Sequence, residues 1–160
     1  MGNYLSTPDT EKHFDESGDG VIICSMRGWR RTNEDSHIAY VGQKSEQKSE
    51  EKSEQKNEDI KIYAVFDGHG CQSGNVSKWL GDNFCKFFQP NDVTEKNIED
   101  KIKETFIKCD HYMIEHNEEL EKYNKPFENK PCNLSKLCGS TCCMVILLND
   151  KIYTANIGDS

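Results

Sequence analysis

The chain has 160 residues, which is within the usual range of a single domain. It carries 28 acidic and 20 basic residues, a formal net charge of −8, and this balance argues against nucleic acid as a partner because phosphate backbones attract basic surfaces. The N-terminus has no apolar signal-like segment, and no run approaches the roughly 18 apolar residues that a membrane-spanning helix needs. We therefore expect a soluble or peripheral protein of the cytoplasm, whose eight cysteines are reduced.

Residues 1–20 are polar and predict an irregular, flexible segment. The first six, MGNYLS, match the M-G-x-x-x-[ST] pattern of N-myristoylation, with Gly2 as the acceptor and Ser6 in the final place. An unmodified terminus is the alternative, and this short pattern leaves both open. A single acyl chain binds membranes weakly and reversibly, so acylation would give only a weak membrane association.

Apolar runs bounded by polar or turn residues predict the strands. They cover residues 21–26, 37–41 and 61–66, followed by a closing hairpin of residues 141–148 and 151–157 with a turn at Asn149-Asp150. Between the second and third strands, residues 44–59 form four near-copies of a charged four-residue unit, KSEQ in its first copy. Because this stretch has no apolar residue, it predicts a solvated insertion, and a regulatory role for its serines is the weaker interpretation.

Two helices are predicted in the middle of the chain. Aromatic and aliphatic residues recur at helical spacing over residues 73–88, and we interpret this stripe as core packing. A second helix, capped by Asp92 or Thr94, is predicted to run toward Glu119. The polar residues 122–137 predict a loop.

Three polar motifs stand at the ends of predicted strands. They are RGWRRTNEDSH (residues 27–37), FDGHG (residues 66–70) and ANIGDS (residues 155–160). In the second motif Asp67, Gly68 and His69 directly follow an apolar strand, so they are predicted to lie together at its end. Carboxylate and carbonyl oxygens suit Mg²⁺ and Mn²⁺, and a neighbouring histidine suits proton transfer near neutral pH. The motif therefore indicates a hydrolase-like metal site, although Asp-Gly alone is also an ordinary turn.

In this order, with GST (residues 139–141) before the closing hairpin, the motifs resemble the metal-dependent type 2C protein serine/threonine phosphatase family (PPM). The resemblance covers residues 21–160 and corresponds to the N-terminal half of the catalytic domain. It implies an α+β fold, an antiparallel β-sandwich flanked by helices in four α-β-β-α layers, of which only the N-terminal part is present. It also implies hydrolysis of phosphoserine and phosphothreonine on phosphorylated protein substrates, by an enzyme that is monomeric when full length.

The resemblance assigns metal-binding roles to five residues. Asp67 resembles the carboxylate that bridges two Mg²⁺ or Mn²⁺ ions, and Gly68 resembles the residue whose backbone carbonyl binds one of them. Glu34 and Asp35 resemble the acidic pair that holds metal-site waters. Asp159 matches the acidic position associated with a weaker third metal. Mg²⁺ and Mn²⁺ accept the same oxygen ligands, so the choice between them stays open.

The resemblance also assigns the residues that act on the phosphate. Arg30 resembles the phosphate-binding arginine, with a planar fork suited to two phosphate oxygens. Arg31 is a competing candidate, but Arg30 has the family's spacing to the acidic pair. His69 resembles the general acid that protonates the leaving oxygen. Cys71 departs from the small residue that the family has there, and inert packing is its first interpretation.

The resemblance implies further metal-binding aspartates, at DG- and DN-type motifs that residues 1–160 do not contain. We therefore expect this chain to be a fragment that is inactive or nearly so by itself. The alternative is a non-catalytic module that binds phosphoproteins or metal, as a pseudophosphatase does. Five intact residues count against that alternative: Arg30, Glu34, Asp67, Gly68 and His69.

Overall fold

The computed structural model describes residues 4–17, 20–42, 59–70, 74–123 and 134–160. The strands within these ranges are β1 (Tyr4–Ser17), β2 (Val21–Arg30), β3 (Asp35–Val41), β4 (Ile60–Gly70), β5 (Cys138–Ser140), β6 (Cys142–Leu148) and β7 (Lys151–Ile157). The helices are α1 (Asn75–Phe88), α2 (Ile98–Glu115), α3 (Asn117–Glu121) and α4 (Leu134–Leu137), with a 3₁₀ turn at Pro90–Asp92. None of the described helices is both long and apolar enough to cross a membrane.

The strands form two antiparallel sheets. One contains β1 and β2, and the other has the order β3-β4-β6-β7, with β5 paired to the end of β4. Successive residues of a strand point to opposite faces, so the residues of β4 divide into two sets. Ile62 and Phe66 are fully buried on the face toward the helices, whereas Val65 and Asp67 are exposed on the other face. This architecture confirms the predicted α+β class.

Helices α1 and α2 cover the inner face of the larger sheet. Trp79, Phe84 and Phe88 of α1 are buried, and the Phe84 ring lies 6.2 Å from Phe66 and 5.2 Å from Phe106, measured between centroids. Burying side chains of this size stabilises the fold by about 1.5–3 kcal/mol each. The interpretation of the aromatic stripe as core packing is confirmed.

The smaller sheet lies toward the outer face of the larger one. Val21 and Ile23 of β2 line a shared apolar cavity with Tyr63, Val65 and Val145. The smaller sheet and the helices therefore lie toward opposite faces of the larger sheet.

The prediction of irregular structure before Gly20 is wrong for Tyr4–Ser17, which forms β1. This strand pairs antiparallel with β2, and Asp9 of β1 forms a 2.7 Å ion pair with Arg27 of β2. Most side chains of β1 are exposed, and few of them are apolar. The order of this strand therefore depends on backbone pairing with β2, which the composition does not reveal. Gly2 lies outside the described residues.

The strand predicted over residues 61–66 is longer in the structure, because β4 continues through the DGHG motif to Gly70. Its last three residues pair with β5, in the register Gly68↔Ser140, His69↔Gly139 and Gly70↔Cys138. These backbone bonds come from a segment about 70 residues further along the chain, and they keep extended a sequence that would turn in isolation.

The other predicted elements differ mainly at their ends. The second helix begins at Ile98 and is preceded by Asn97, not by Asp92 or Thr94 as predicted. The Asn97 side chain bonds back to the preceding turn, accepting from the Thr94 N–H at 2.8 Å. It ends at Glu115, and the predicted continuation is the separate helix α3. The predicted loop at 122–137 contains α4, while its residues 124–133 and residues 44–58 of the insertion predicted at 44–59 lie outside the described residues. The closing hairpin is confirmed, with Asn149 at φ +52° in the turn.

Candidate active site

The connection between β2 and β3 is held by its own polar side chains. Asn33 donates to the Ser25 hydroxyl at 2.6 Å and accepts the Asp35 backbone N–H at 3.1 Å. The Thr32 hydroxyl donates to the Glu34 carboxylate at 3.1 Å. These bonds let the chain leave β2 and enter β3 with two consecutive acidic residues at the strand end.

The register of β3 and β4 places Asp35 directly opposite Asp67. Both residues are exposed on the outer face, away from the helices. The pKa of Asp35 is raised above its ordinary value, first by partial loss of water around the carboxyl and then by the negative charges of Asp67 and Glu34. The positive charge of Arg30 opposes this rise without cancelling it. Repelling carboxylates of this kind fit a divalent cation, which would neutralise both.

Gly68 lies where a side chain has no room. Its N–H donates to the Glu34 carbonyl at 3.1 Å, and the buried Ser77 hydroxyl of α1 donates to the same carbonyl. A Cβ on Gly68 would lie 2.5 Å from Ser77 Oγ and 2.7 Å from the Glu34 carbonyl oxygen. A glycine is therefore required for β4 to pass between the acidic connection and the first turn of α1.

We expect Gly68→Ala to lower the free energy of unfolding by about 1–3 kcal/mol, because the backbone must shift to admit the methyl group. Urea unfolding measures this effect. The double variant Gly68→Ala/Ser77→Ala removes only one of the two clashing atoms, so it should recover part of the shift that Gly68→Ala causes. A Gly68→Ala protein as stable as the parent would show that this close approach is absent.

His69 lies beside the GST segment. It is exposed, and its ring covers Gly139, the residue opposite it on β5. A Cβ on Gly139 would lie 2.5 Å from His69 Nε2 and 2.8 Å from Cε1. The absence of a side chain at Gly139 therefore leaves the space that the imidazole occupies.

Thr141 connects two of the motifs, a role that sequence reasoning missed. Its N–H donates to the Asp67 carbonyl at 2.8 Å, and its hydroxyl accepts the Asp67 N–H at 3.3 Å. The same hydroxyl lies 2.5 Å from the Ser160 hydroxyl. The chain segment that carries Asp159 therefore ends beside the backbone of Asp67. The only sequence feature that pointed to Thr141 is the GST tripeptide ahead of the hairpin.

Arg30 stands at the end of β2 with its guanidinium carbon 6.0 Å from the centroid of the Tyr4 ring. No carboxylate among the described residues forms an ion pair with it. Its charge acts on Asp35, whereas Arg31 is not among the charges that affect that carboxyl. This effect on the pKa of Asp35 favours Arg30 over Arg31 as the arginine whose charge acts on the acidic end of the sheet.

The predicted metal residues come together only in part. Asp35 and Asp67 face each other, and Gly68 bonds to the Glu34 backbone, whereas Asp159 approaches only through its neighbour Ser160. Across the described ranges, no cluster of three or more His, Cys, Asp or Glu side chains is arranged to hold a metal ion. The described residues thus fit part of a metal site, and the individual roles stay predictions.

Two antiparallel sheets with helices on one of them define an α+β fold, and the Asp35–Asp67 pair lies on the outer face of the larger sheet. The family model for protein phosphatase 2C matches residues 19–160. The chain therefore belongs to the protein phosphatase 2C family, whose members are generally metal-dependent protein phosphatases. This confirms the family predicted from the three motifs.

Curated relatives align along the whole chain. It is 31% identical to "Probable protein phosphatase 2C 3" of Paramecium tetraurelia, covering 100% of this chain and 49% of that protein. It is 30% identical to "Protein phosphatase 2C homolog 3" of Schizosaccharomyces pombe, covering 100% of this chain and 34% of that protein. The chain thus spans half or less of the length of these relatives.

Proposed function

We propose that the protein carrying this chain hydrolyses phosphoserine and phosphothreonine on other proteins, with Mg²⁺ or Mn²⁺ bound where β3 begins and β4 ends. The observation that carries the proposal is the pairing of Asp35 with Asp67, in a chain of a protein phosphatase family. An uncompensated carboxylate pair on an exposed strand end is unfavourable by itself and is stabilised by divalent cations.

The residues that would hold the cations are those of the acidic end of the sheet. Asp67 and the Gly68 carbonyl would bind two ions, Glu34 and Asp35 would hold their waters, and Asp159 would serve a weaker third. When bound, the ions supply an activated water and neutralise the charge of the phosphoryl group. Both Mg²⁺ and Mn²⁺ accept these oxygen ligands.

The chain's own residues perform the remaining tasks. Arg30 has no carboxylate partner among the described residues, so its N–H groups are free to bind two phosphoryl oxygens. His69 donates a proton to the departing seryl or threonyl oxygen, which leaves poorly as an alkoxide. Gly139 supports this role by leaving the imidazole room at the exposed edge.

Residues 1–160 alone are proposed to have little activity. The described part of the chain brings only two carboxylates face to face and forms no three-ligand metal cluster. The family resemblance also implies further metal-binding aspartates, at motifs that residues 1–160 do not contain. We therefore propose that the activity needs those aspartates in addition to the acidic residues of residues 1–160.

The test is release of phosphate from a phosphothreonine peptide by the full-length protein, with Mn²⁺ and after chelation. We expect turnover with metal, almost none without it, and a much smaller rate for a phosphotyrosine peptide. Residues 1–160 alone should show little turnover. Robust metal-dependent turnover by residues 1–160 would refute the proposal that their site is incomplete. A full-length protein that is inactive with either metal would refute the proposed function.

A second candidate is a non-catalytic module that binds phosphoproteins or metal. The lack of a three-ligand cluster among the described residues favours it for residues 1–160 alone. The same peptide separates the two functions, because a binding module would retain the peptide without releasing phosphate.

We also propose a cytoplasmic, monomeric protein with weak membrane association if Gly2 is myristoylated. A single acyl chain supports only reversible binding. Mass spectrometry of the N-terminal peptide from expressing cells tests the acylation. An unmodified Gly2 would remove the reason to expect membrane association.

A further inference from the structure

The N-terminal strand reaches the proposed phosphate-binding residue. In the register of β1 and β2, Tyr4 is the partner of Arg30, the last residue of β2. The guanidinium carbon of Arg30 lies 6.0 Å from the centroid of the Tyr4 ring. This separation is at the limit of about 6 Å within which an aromatic face attracts a cation.

Arg27 fixes the same end of the hairpin. One of its guanidinium nitrogens is 2.7 Å from the Asp9 carboxylate of β1, and the other donates to the Arg31 carbonyl at 3.2 Å. Arg27 therefore links β1 to the backbone of Arg31, the residue that follows Arg30. The register shifts between the pairs Tyr4↔Arg30 and Asp9↔Gly28, where β1 has more residues than β2, and Gly28 adopts a φ of +63° at this irregularity.

The support that Tyr4 gives differs from the support that a carboxylate would give. An ion pair would occupy the N–H groups of Arg30 and lower its affinity for phosphate. An aromatic face restrains the guanidinium plane while leaving its in-plane donors free. Arg30 forms no ion pair with any carboxylate of the described residues, which fits this arrangement.

We propose that Tyr4 is a positioning residue for Arg30, so that β1 forms part of the substrate-binding site. The ring holds the guanidinium at the end of β2 with its N–H groups directed to the phosphoryl group. This inference rests on the proposed phosphate role of Arg30 and adds a residue that none of the three motifs contains.

The first test observes Arg30 directly and needs no activity. In the full-length protein with labelled arginine, Arg30→Lys assigns the Arg30 side-chain signals in NMR spectra. Tyr4→Ala should move those signals because it removes the aromatic ring current, and Tyr4→Phe should keep them near the parental positions. Phe14→Ala is the matched control, since Phe14 is an exposed aromatic residue of the same strand that pairs with Cys24, far from Arg30.

The second test measures phosphate recognition. Tyr4→Ala should raise the dissociation constant of inorganic phosphate and the KM for a phosphopeptide by about two- to five-fold, with kcat little changed. Tyr4→Phe and Phe14→Ala should stay near the parental values. Equal losses in Phe14→Ala and Tyr4→Ala would show general weakening of β1 and overturn the inference.

Failure of the inference and failure of the proposed function give different results. If the parent protein releases phosphate but the Arg30 signals are unchanged in Tyr4→Ala, the proposed function is retained and the role of Tyr4 is overturned. A parent protein that neither binds nor releases phosphate refutes the function and the phosphate-directed part of the inference together. A shift of the Arg30 signals in such a protein would leave only the ring contact established.

Discussion

Asp67→Asn in the full-length protein is expected to lower metal-dependent phosphate release by about 100-fold or more. Even residues that only orient metal ligands typically contribute about 10–100-fold, and Asp67 is proposed to bind the metals directly. The substitution removes one negative charge while keeping the side-chain size. It also leaves the backbone bonds of Asp67 to Thr141 available, so the strand end should stay in place.

Asp150→Asn is the matched control for this prediction. Asp150 is an exposed aspartate in the turn between β6 and β7. This turn lies at the opposite end of β6 from Thr141, which bonds to Asp67. It changes the net charge by the same amount without touching the acidic pair. Activity of Asp67→Asn within a few-fold of the Asp150→Asn activity would contradict the proposed metal role.

His69→Gln should lower kcat on phosphothreonine peptides by about 10²–10⁴-fold, the usual contribution of a positioned general acid. Metal binding should be retained, because His69 is not a proposed ligand. The loss should be much smaller on an aryl phosphate, whose leaving group departs without needing a proton. This difference between substrates distinguishes proton donation from structural damage.

His111→Gln provides the comparison for the His69 variant. His111 is an exposed histidine of α2, outside the acidic strand ends. It should leave the rates on both substrates unchanged. An equal loss on peptide and aryl phosphate in His69→Gln would assign His69 a structural role in place of proton transfer.

The elements with the strongest local patterns were predictable. The hairpin of β6 and β7 has apolar runs on both sides of Asn149-Asp150, and α1 repeats its aromatic residues at helical spacing. Strand β1 was not predictable, because its exposed polar side chains carry no burial pattern. The continuation of β4 through Gly70 was hidden for another reason, since the pairing strand β5 lies far along the chain.

The residues of the candidate site were predictable from the sequence, whereas their arrangement was not. The order of the three motifs suffices to name Arg30, Asp67 and His69. Their geometry depends on contacts between distant segments, such as the Ser77 hydroxyl on the Glu34 carbonyl and the Tyr4 ring near Arg30. No local pattern encodes such contacts, because each requires the register of a strand pair or the packing of a helix.

We propose that the edge of the sheet where β3 begins and β4 ends, with Asp35 facing Asp67, is a metal site. Titration of the full-length protein with Mn²⁺, followed by calorimetry or by the electron spin resonance of free Mn²⁺, tests this most directly. We predict saturable binding in the parent and in Asp150→Asn, and loss of most of that binding in Asp67→Asn. Equal Mn²⁺ binding by the parent and Asp67→Asn would contradict the claim.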